Sequence, residues 1–212
     1  MKAIILSAGQ GRRLLPHTAE APKCLLPVDG ERTVLDTQLH SLARAGVRRA
    51  VVMTGFGADR VDAHLASHRM RGIEVETRYN PFFETSDNLV TCWLAARDMD
   101  GDFLLLNGDT LFGPELVQRV LAAPDAPLTV TIDRKSAYDD DDMKVSLVGR
   151  RLQAIGKKLA GQSIDGEAIG LIRVRGRGIT QLRDALDLAI RRREATNAWY
   201  LSVVNDLAAQ GR

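Results

Sequence analysis

The chain opens on an apolar run, Lys2-Ala3-Ile4-Ile5-Leu6, which the following Ser7-Ala8-Gly9-Gln10-Gly11 closes sharply, and this pattern predicts a buried strand. Thr33 with Asp36 three residues later spells a capping box. Leu35, Leu39 and Leu42 then recur at helical spacing, so a helix is predicted from Thr33 until Gly46 stops it. Residues 49–54 read as a second strand, Gly55-Phe56-Gly57 as its exit loop, and 58–68 as a helix with Val61 and Leu65 facing inward. Residues 73–77 alternate with period two and predict a half-exposed strand. This strand–helix–strand–helix–strand rhythm implies a largely parallel sheet covered by helices.

Residues 79–88 break the rhythm. Pro81 blocks continuation of the strand, and Ser86, Asp87 or Asn88 offers a cap for the helix that follows. Residues 102–106 form a strongly apolar strand ending in Asn107-Gly108-Asp109. Beyond it the pattern predicts a helix over 114–121, a strand over 128–132, and a hairpin of 143–148 with 152–155 about Gly149-Arg150. A strand over 166–172 and helices over 179–192 and 198–209 complete the chain. A length of 212 residues suits one well-buried α/β domain over 1–212 and is too short for two of ordinary size.

Composition removes several function classes. The net charge of +2 argues against a concentrated basic face for nucleic acid. The run Arg191-Arg192-Arg193 reads as a solvated helix terminus that complements the helix dipole. Cys24 and Cys92 lie in different segments without metal-like spacing, and are expected to be reduced structural thiols. The amino terminus lacks the pattern of a signal peptide, and no stretch approaches the roughly 18 apolar residues that span a bilayer. A cytoplasmic protein without a membrane span is expected.

The candidate chemistry gathers at the first loop. Gly9 and Gly11 let a ligand approach the backbone, and the exposed amides of Ala8, Gly9, Gln10 and Gly11 suit a phosphate chain. Arg12 and Arg13 add guanidinium forks, and Lys23, set between Pro22 and an apolar stretch, supplies another cation. A dinucleotide fingerprint fails because Leu14 stands at its third glycine, and a P-loop fails because no Lys-Ser or Lys-Thr pair follows Gly11. Asp109 lies at the carboxyl end of a buried strand, where open α/β sheets collect ligands, although Asn-Gly-Asp also reads as an ordinary turn.

The strand followed by Ala8-Gly9-x-Gly11-x-Arg13 and then Pro22-Lys23 resembles the signature of the nucleotidyltransferases that activate sugar phosphates and phosphocholine. The resemblance runs over nearly the whole chain and is nearest to the phosphocholine and inositol-phosphate cytidylyltransferase branch. Ser7 stands where the family more often has Ala. The resemblance implies a single-domain Rossmann-like three-layer α/β sandwich, with a mostly parallel central sheet and helices on both faces. It implies that Arg13 and Lys23 offset triphosphate charge and that Asp109 is the first metal-binding aspartate, for Mg2+. It makes Ala8 to Arg13, Lys23, Asn80, Asn88 and Gly108 nucleotide contacts. Asn80 matches a base-contacting position, whereas Asn88 reads equally as a helix cap.

On the acceptor side, the resemblance makes Lys157 the holder of the acceptor's phosphate, with Gly156 where a Glu is usual. It also places Glu167 to bond a hydroxyl or an ammonium and counts Asp133, at the end of the 128–132 strand, among the acceptor contacts, while Trp199 offers an aromatic face to a cationic head. An exposed lysine pair and a core tryptophan are the plain alternatives. The run from Asp139 to Asp142 reads as an exposed loop. Family members usually continue into a strand with a second metal-binding aspartate, and this chain stops before that position; Asp206, in a helical pattern, is a poor substitute. The expected reaction is Mg2+-dependent transfer of CMP from CTP to a phosphorylated small molecule. A uridylyl- or thymidylyltransferase and a non-catalytic nucleotide-binding domain are the alternatives.

Overall fold

The computed structural model describes residues 1–159 and 161–211. In chain order its elements are β1 (Lys2–Leu6), β2 (Pro27–Asp29), β3 (Arg32–Thr33), α1 (Val34–Arg44), β4 (Arg49–Thr54), α2 (Ala58–Ser67), β5 (Glu74–Tyr79) and α3 (Asn88–Leu94). There follow β6 (Phe103–Asn107), α4 (Pro114–Leu121), β7 (Leu128–Asp133), β8 (Lys144–Val148), β9 (Arg151–Gly156), β10 (Gly166–Val174), α5 (Arg177–Ala189) and α6 (Leu201–Ala209). Eight strands form one sheet in the order β5-β4-β1-β6-β10-β8-β9, with β7 also paired to β10. β5, β4, β1 and β6 are parallel to one another. β10 runs against β6, β7 and β8, so only it and β9 oppose the common direction.

Period-two alternation sorts the core into two layers. Ala3, Ile5, Ala50, Val52, Leu104 and Leu106 face α1, α2 and α4, whose Leu35, Leu39, Leu42, Val61 and Val117 complete one cluster. Ile4, Leu6, Val51, Met53, Phe103 and Leu105 face α3, α5 and α6 through Leu89, Leu182, Leu186 and Val204. Both faces are therefore covered, which is why the inner strands read as continuous apolar runs. The result is the three-layer sandwich expected from the sequence. Among the described residues no helix is long and apolar enough to cross a membrane.

The capping box forms as predicted: the Thr33 side chain accepts from the Asp36 amide, and the Thr33 amide donates to Asp36. Two helix starts differ from the sequence expectation for tertiary reasons, and one small hairpin has no counterpart in it. α5 starts earlier, at Arg177, where Asp102 Oδ1 accepts from the preceding Gly176 amide at 3.0 Å. α6 starts later, at Leu201, because the backbone of 196–198 is engaged by the start of α3. The Pro27–Asp29 and Arg32–Thr33 pair is a small hairpin too short to show a period.

Arg173 is a feature that the sequence pattern does not announce. It sits on β10 with no exposed surface, yet carries a guanidinium. Its Nη1 donates to the carbonyls of Val120, Leu121 and Ala123, and its Nη2 to Pro124 O and Thr129 Oγ1. The last carbonyls of a helix have no partner within the helix, and Arg173, with Arg175 on Leu121 O, serves those ending α4 and the turn beyond it. Replacing Arg173 leaves the Ala123 and Pro124 carbonyls without their donor and strips one of two donors from Val120 O and Leu121 O. Arg173→Met is expected to lower unfolding stability by about 3 kcal/mol or more, read from the urea midpoint, and a change under about 0.5 kcal/mol contradicts this assignment.

Candidate active site

The parallel half of the sheet sends its carboxyl-terminal loops to one edge. In register, Leu6 of β1 pairs with Met53 of β4 and Asn107 of β6. The loops after β1, β4, β5 and β6 therefore emerge side by side, at the position where open α/β sheets bind ligands. Gly108 N donates to Leu6 O at 2.9 Å, and Phe56 N to Ala8 O at 3.0 Å, knitting three of these loops together. Gly108 is fixed by this packing, since a Cβ there would lie 2.1 Å from Ser7 Oγ.

The first loop holds its own shape. Gly11 adopts φ 75°, and Thr18, fully buried, donates its hydroxyl to Gly11 O. Gln10 Nε2 reaches Thr18 O at 3.3 Å. A Cβ on Gly11 would press on the Lys23 side chain at 3.2 Å, so these two residues of the signature lie side by side and leave no room for a larger residue than glycine. Lys23 Nζ lies 2.6 Å from Asp109 Oδ2, with both side chains about half exposed. Thus the candidate phosphate cation and the candidate metal carboxylate, 86 residues apart, face each other.

Cys24, directly after Lys23, is buried beneath the loop, and burial pushes its thiol up to about 11. Cys92 is also free and buried, its thiol likewise raised by burial. Neither is suited to nucleophilic work near neutral pH.

The acidic run departs from a merely solvated loop. Asp141 accepts from Arg13 at 3.1 Å through Oδ2 and from Lys157 at 2.7 Å through Oδ1. The Lys157 hydrogen bond first, and the Arg13 charge second, hold its carboxyl below the ordinary value. One carboxylate thereby joins the predicted nucleotide side to the predicted acceptor side. Lys157 Nζ also lies 4.4 Å from the centroid of the Trp199 ring, a cation–π contact. Beyond it, Lys135 pairs with Glu167 and, at 3.3 Å, with Asp142. Asp133 is exposed, pairs with Glu167 in register, and accepts locally from the Arg134 amide.

Two adjoining cavities border the first loop. The larger, about 510 Å³, runs along Gly9, Gln10, Gly11 and Arg12 and is closed by Phe56, Phe83 and residues 84–87 and 196–197. The smaller, about 170 Å³, touches Ala8, Gly9, Asn88, Thr91 and Trp199. A cavity of about 900 Å³ lies elsewhere, between residues 123–130, the β8–β9 hairpin and α6. It is lined by none of the predicted site residues.

One sequence expectation needs correction. Asn80 does not present its amide to a base. It is fully buried, its Nδ2 donates to Thr91 Oγ1 at 3.0 Å, and its Oδ1 accepts from the Phe82 amide at 2.8 Å. An amide whose two ends are occupied inside the protein shapes the loop. Asn88 lies in the first turn of α3, where its Oδ1 accepts from the Tyr200 amide at 3.0 Å, while the residue still borders the smaller cavity. The α3 start needs no side-chain cap, because Asp87 N and Leu89 N donate to the carbonyls of Thr196 and Ala198.

The donor chemistry fits a hard cation only in part. Among the described residues no three acidic, histidine or cysteine side chains converge on a metal position. Asp109 is a single half-exposed carboxylate, which suits Mg2+ where water and substrate phosphate complete the shell. Asp206 does not join it and pairs instead with Arg192 at 2.7 Å.

Solved structures share this fold. The inositol-1-phosphate CTP transferase from T. maritima aligns with a TM-score of 0.81 at 21% identity, covering 99% of this chain and 82% of that one. The CTP:phosphocholine cytidylyltransferase from Streptococcus pneumoniae aligns with a TM-score of 0.71 at 18% identity, over 97% and 84%. In sequence, the CMP-5'-(3-aminopropyl)phosphonate synthase of Streptomyces rubellomurinus is 34% identical over 164 residues, 73% of this chain and 25% of that protein. The CTP:phosphoglutamine cytidylyltransferase of Campylobacter jejuni is 25% identical over 140 residues, 63% of this chain and 53% of that protein. The chain thus spans between a quarter and about half the length of these curated relatives. Residues 2–141, from β1 through the acidic run, match the nucleotidyl transferase family, and the chain belongs to that family.

Proposed function

We propose that this chain transfers CMP from CTP to a small phosphate or phosphonate acceptor, with Mg2+, releasing pyrophosphate. The observation that carries the reading is the Lys23–Asp109 contact beside the glycine loop, at the adjoining ends of β1 and β6. An anionic oxygen of the acceptor attacks the α-phosphorus of CTP; its new bond to phosphorus forms as the bond to the pyrophosphate oxygen breaks, and pyrophosphate leaves with that electron pair. The acceptor supplies its own nucleophile, so the protein's work is positioning and charge neutralisation. Mg2+, when bound, neutralises triphosphate charge. Asp109 holds it, and the amides of residues 8–11 with Arg12, Arg13 and Lys23 receive the phosphates.

Lys157 orients the acceptor's phosphate. It is already steadied by Trp199 and Asp141, the latter shared with Arg13. Phosphate oxygens arriving between Arg13 and Lys157 compete with the Asp141 carboxylate. That exchange is inexpensive, because exposed ion pairs are worth about 0–1 kcal/mol. The relatives, which include a CMP-5'-(3-aminopropyl)phosphonate synthase and a CTP:phosphoglutamine cytidylyltransferase, support CTP and an acceptor with an amine or amide end. Glu167 and Lys135 border that end. Because Asn80 is engaged internally, base choice falls to other groups of the loop, and UTP or dTTP with a sugar 1-phosphate is the second reading.

The deciding experiment is pyrophosphate release with CTP, UTP, dTTP and ATP against phosphocholine, inositol phosphate, aminoalkylphosphonates and glucose 1-phosphate. Turnover is expected with CTP and a phosphate or phosphonate that is not a sugar 1-phosphate. Turnover only with UTP or dTTP and the sugar supports the second reading, and none with any pair supports a binding module. Lys23→Ala is expected to lower turnover by about a hundredfold or more, with the melting temperature nearly unchanged because the ammonium is half exposed. Normal turnover of this variant removes the phosphate role. Glu167→Gln is expected to raise the acceptor KM more than the CTP KM, while equal rises show that Glu167 serves the fold.

A further inference from the structure

We infer that Gln38 is a positioning residue for Asp109, acting from beneath the sheet end. Gln38 lies on α1, a helix with no other part in the site, and has no exposed surface. Its Nε2 donates to Asn107 O at 2.8 Å and to Thr110 O at 2.8 Å. These carbonyls flank Gly108-Asp109 on either side. A single amide therefore clamps both ends of the two-residue segment that carries the carboxylate. The remaining contacts make the clamp rigid: Gly108 N donates to Leu6 O, and the Thr110 hydroxyl donates to Ile169 O at 2.7 Å.

The helix that supplies Gln38 is itself fixed. Its capping box ties Thr33 to Asp36, and Asp36 Oδ1 also meets His64 Nε2 of α2 at 2.8 Å. Burial would raise the Asp36 carboxyl, but the His64 and Thr33 hydrogen bonds outweigh it and hold the group below its ordinary value. One helical turn after Gln38, Ser41 donates to Phe112 O at 2.7 Å, outside the Asp109 segment. α1 is thus anchored at its start and applies two separate side chains to the chain leaving β6. Only one of them brackets Asp109. Groups that orient a metal-binding side chain typically cost about 10–100-fold in metal affinity when removed.

The inference rests on the proposed metal role of Asp109, and its test separates the two. The Mn2+ complex of CTP is titrated into the full chain without any acceptor, and the protein-bound ion is followed by water-proton relaxation enhancement, with no turnover required. Gln38→Met keeps the volume and removes the donor, and it is expected to weaken Mn2+ binding by about tenfold. Ser41→Ala, which also loses one buried hydrogen bond from α1, is expected to bind Mn2+ as the parent does. Should Gln38→Met fail to fold, Gln38→Asn, one methylene too short to span both carbonyls, carries the same expectation. If Asp109→Asn loses Mn2+ while the folded Gln38 variant keeps it, the positioning role alone is overturned. If Asp109→Asn keeps Mn2+, the metal role falls and the inference with it. Equal weakening by Gln38→Met and Ser41→Ala reduces Gln38 to general support of the fold.

Discussion

The parallel pairing of β1 with β6 is the constraint on which the site depends. Both strands are buried on two faces, and hydrogen bonding fixes Leu6 opposite Asn107. Because side chains alternate faces, a slip of one residue would turn each strand's core residues to the wrong layer. The register is therefore held by the whole core, not by the site. It sets the glycine loop beside Gly108-Asp109, and Gly108 leaves just enough room for Ser7. Everything chemical at this edge inherits its position from apolar packing several residues below.

Charge at the site is arranged in pairs. Lys23 meets Asp109, Asp141 bridges Arg13 and Lys157, and Lys135 joins Glu167 and Asp142. Such half-exposed pairs contribute little to folding. Under the proposed function their value is geometric: Lys23, Arg13 and Lys157 are held near where a phosphate would need them, on contacts weak enough to be exchanged. This is compatible with a net charge of only +2, since the cations are gathered locally without a basic face. Arg173 is the opposite case. Its guanidinium is fully enclosed and spent on backbone carbonyls, so it belongs to the α4 terminus and not to catalysis.

The cleft's second wall comes from distant chain. Asn80 shapes the loop after β5 through Thr91 and Phe82, and the backbone of 196–198 secures the start of α3. Phe83 packs edge-on to both Phe56 and Tyr79, with centroids 6.4 and 6.3 Å apart. Loops from β4 and β5 are thereby linked to the segment before α6, and the aromatic edge gives the larger cavity an apolar side opposite its amide-lined one.

Local pattern determined most of the elements, because burial on one or two faces imposes a period that a strand or helix must obey. It also carried the family signature of the first loop, whose two glycines are accompanied by Arg12, Arg13 and Lys23. The Thr33–Asp36 cap and the reduced cysteines were legible for the same reason, as short-range or compositional facts. What tertiary structure alone decided were contacts between residues far apart in the chain. Asn80 has the chemistry of a base reader, and only burial against Thr91 shows that its amide is occupied. The four aspartates look like a solvated run until folding sets Asp141 between Arg13, 128 residues away, and Lys157. Gln38 gives no signal at all, since a polar residue on a helix is ordinary until its partners are known. Periodicity reports which face is buried; it carries no information about which distant carbonyl or cation waits there.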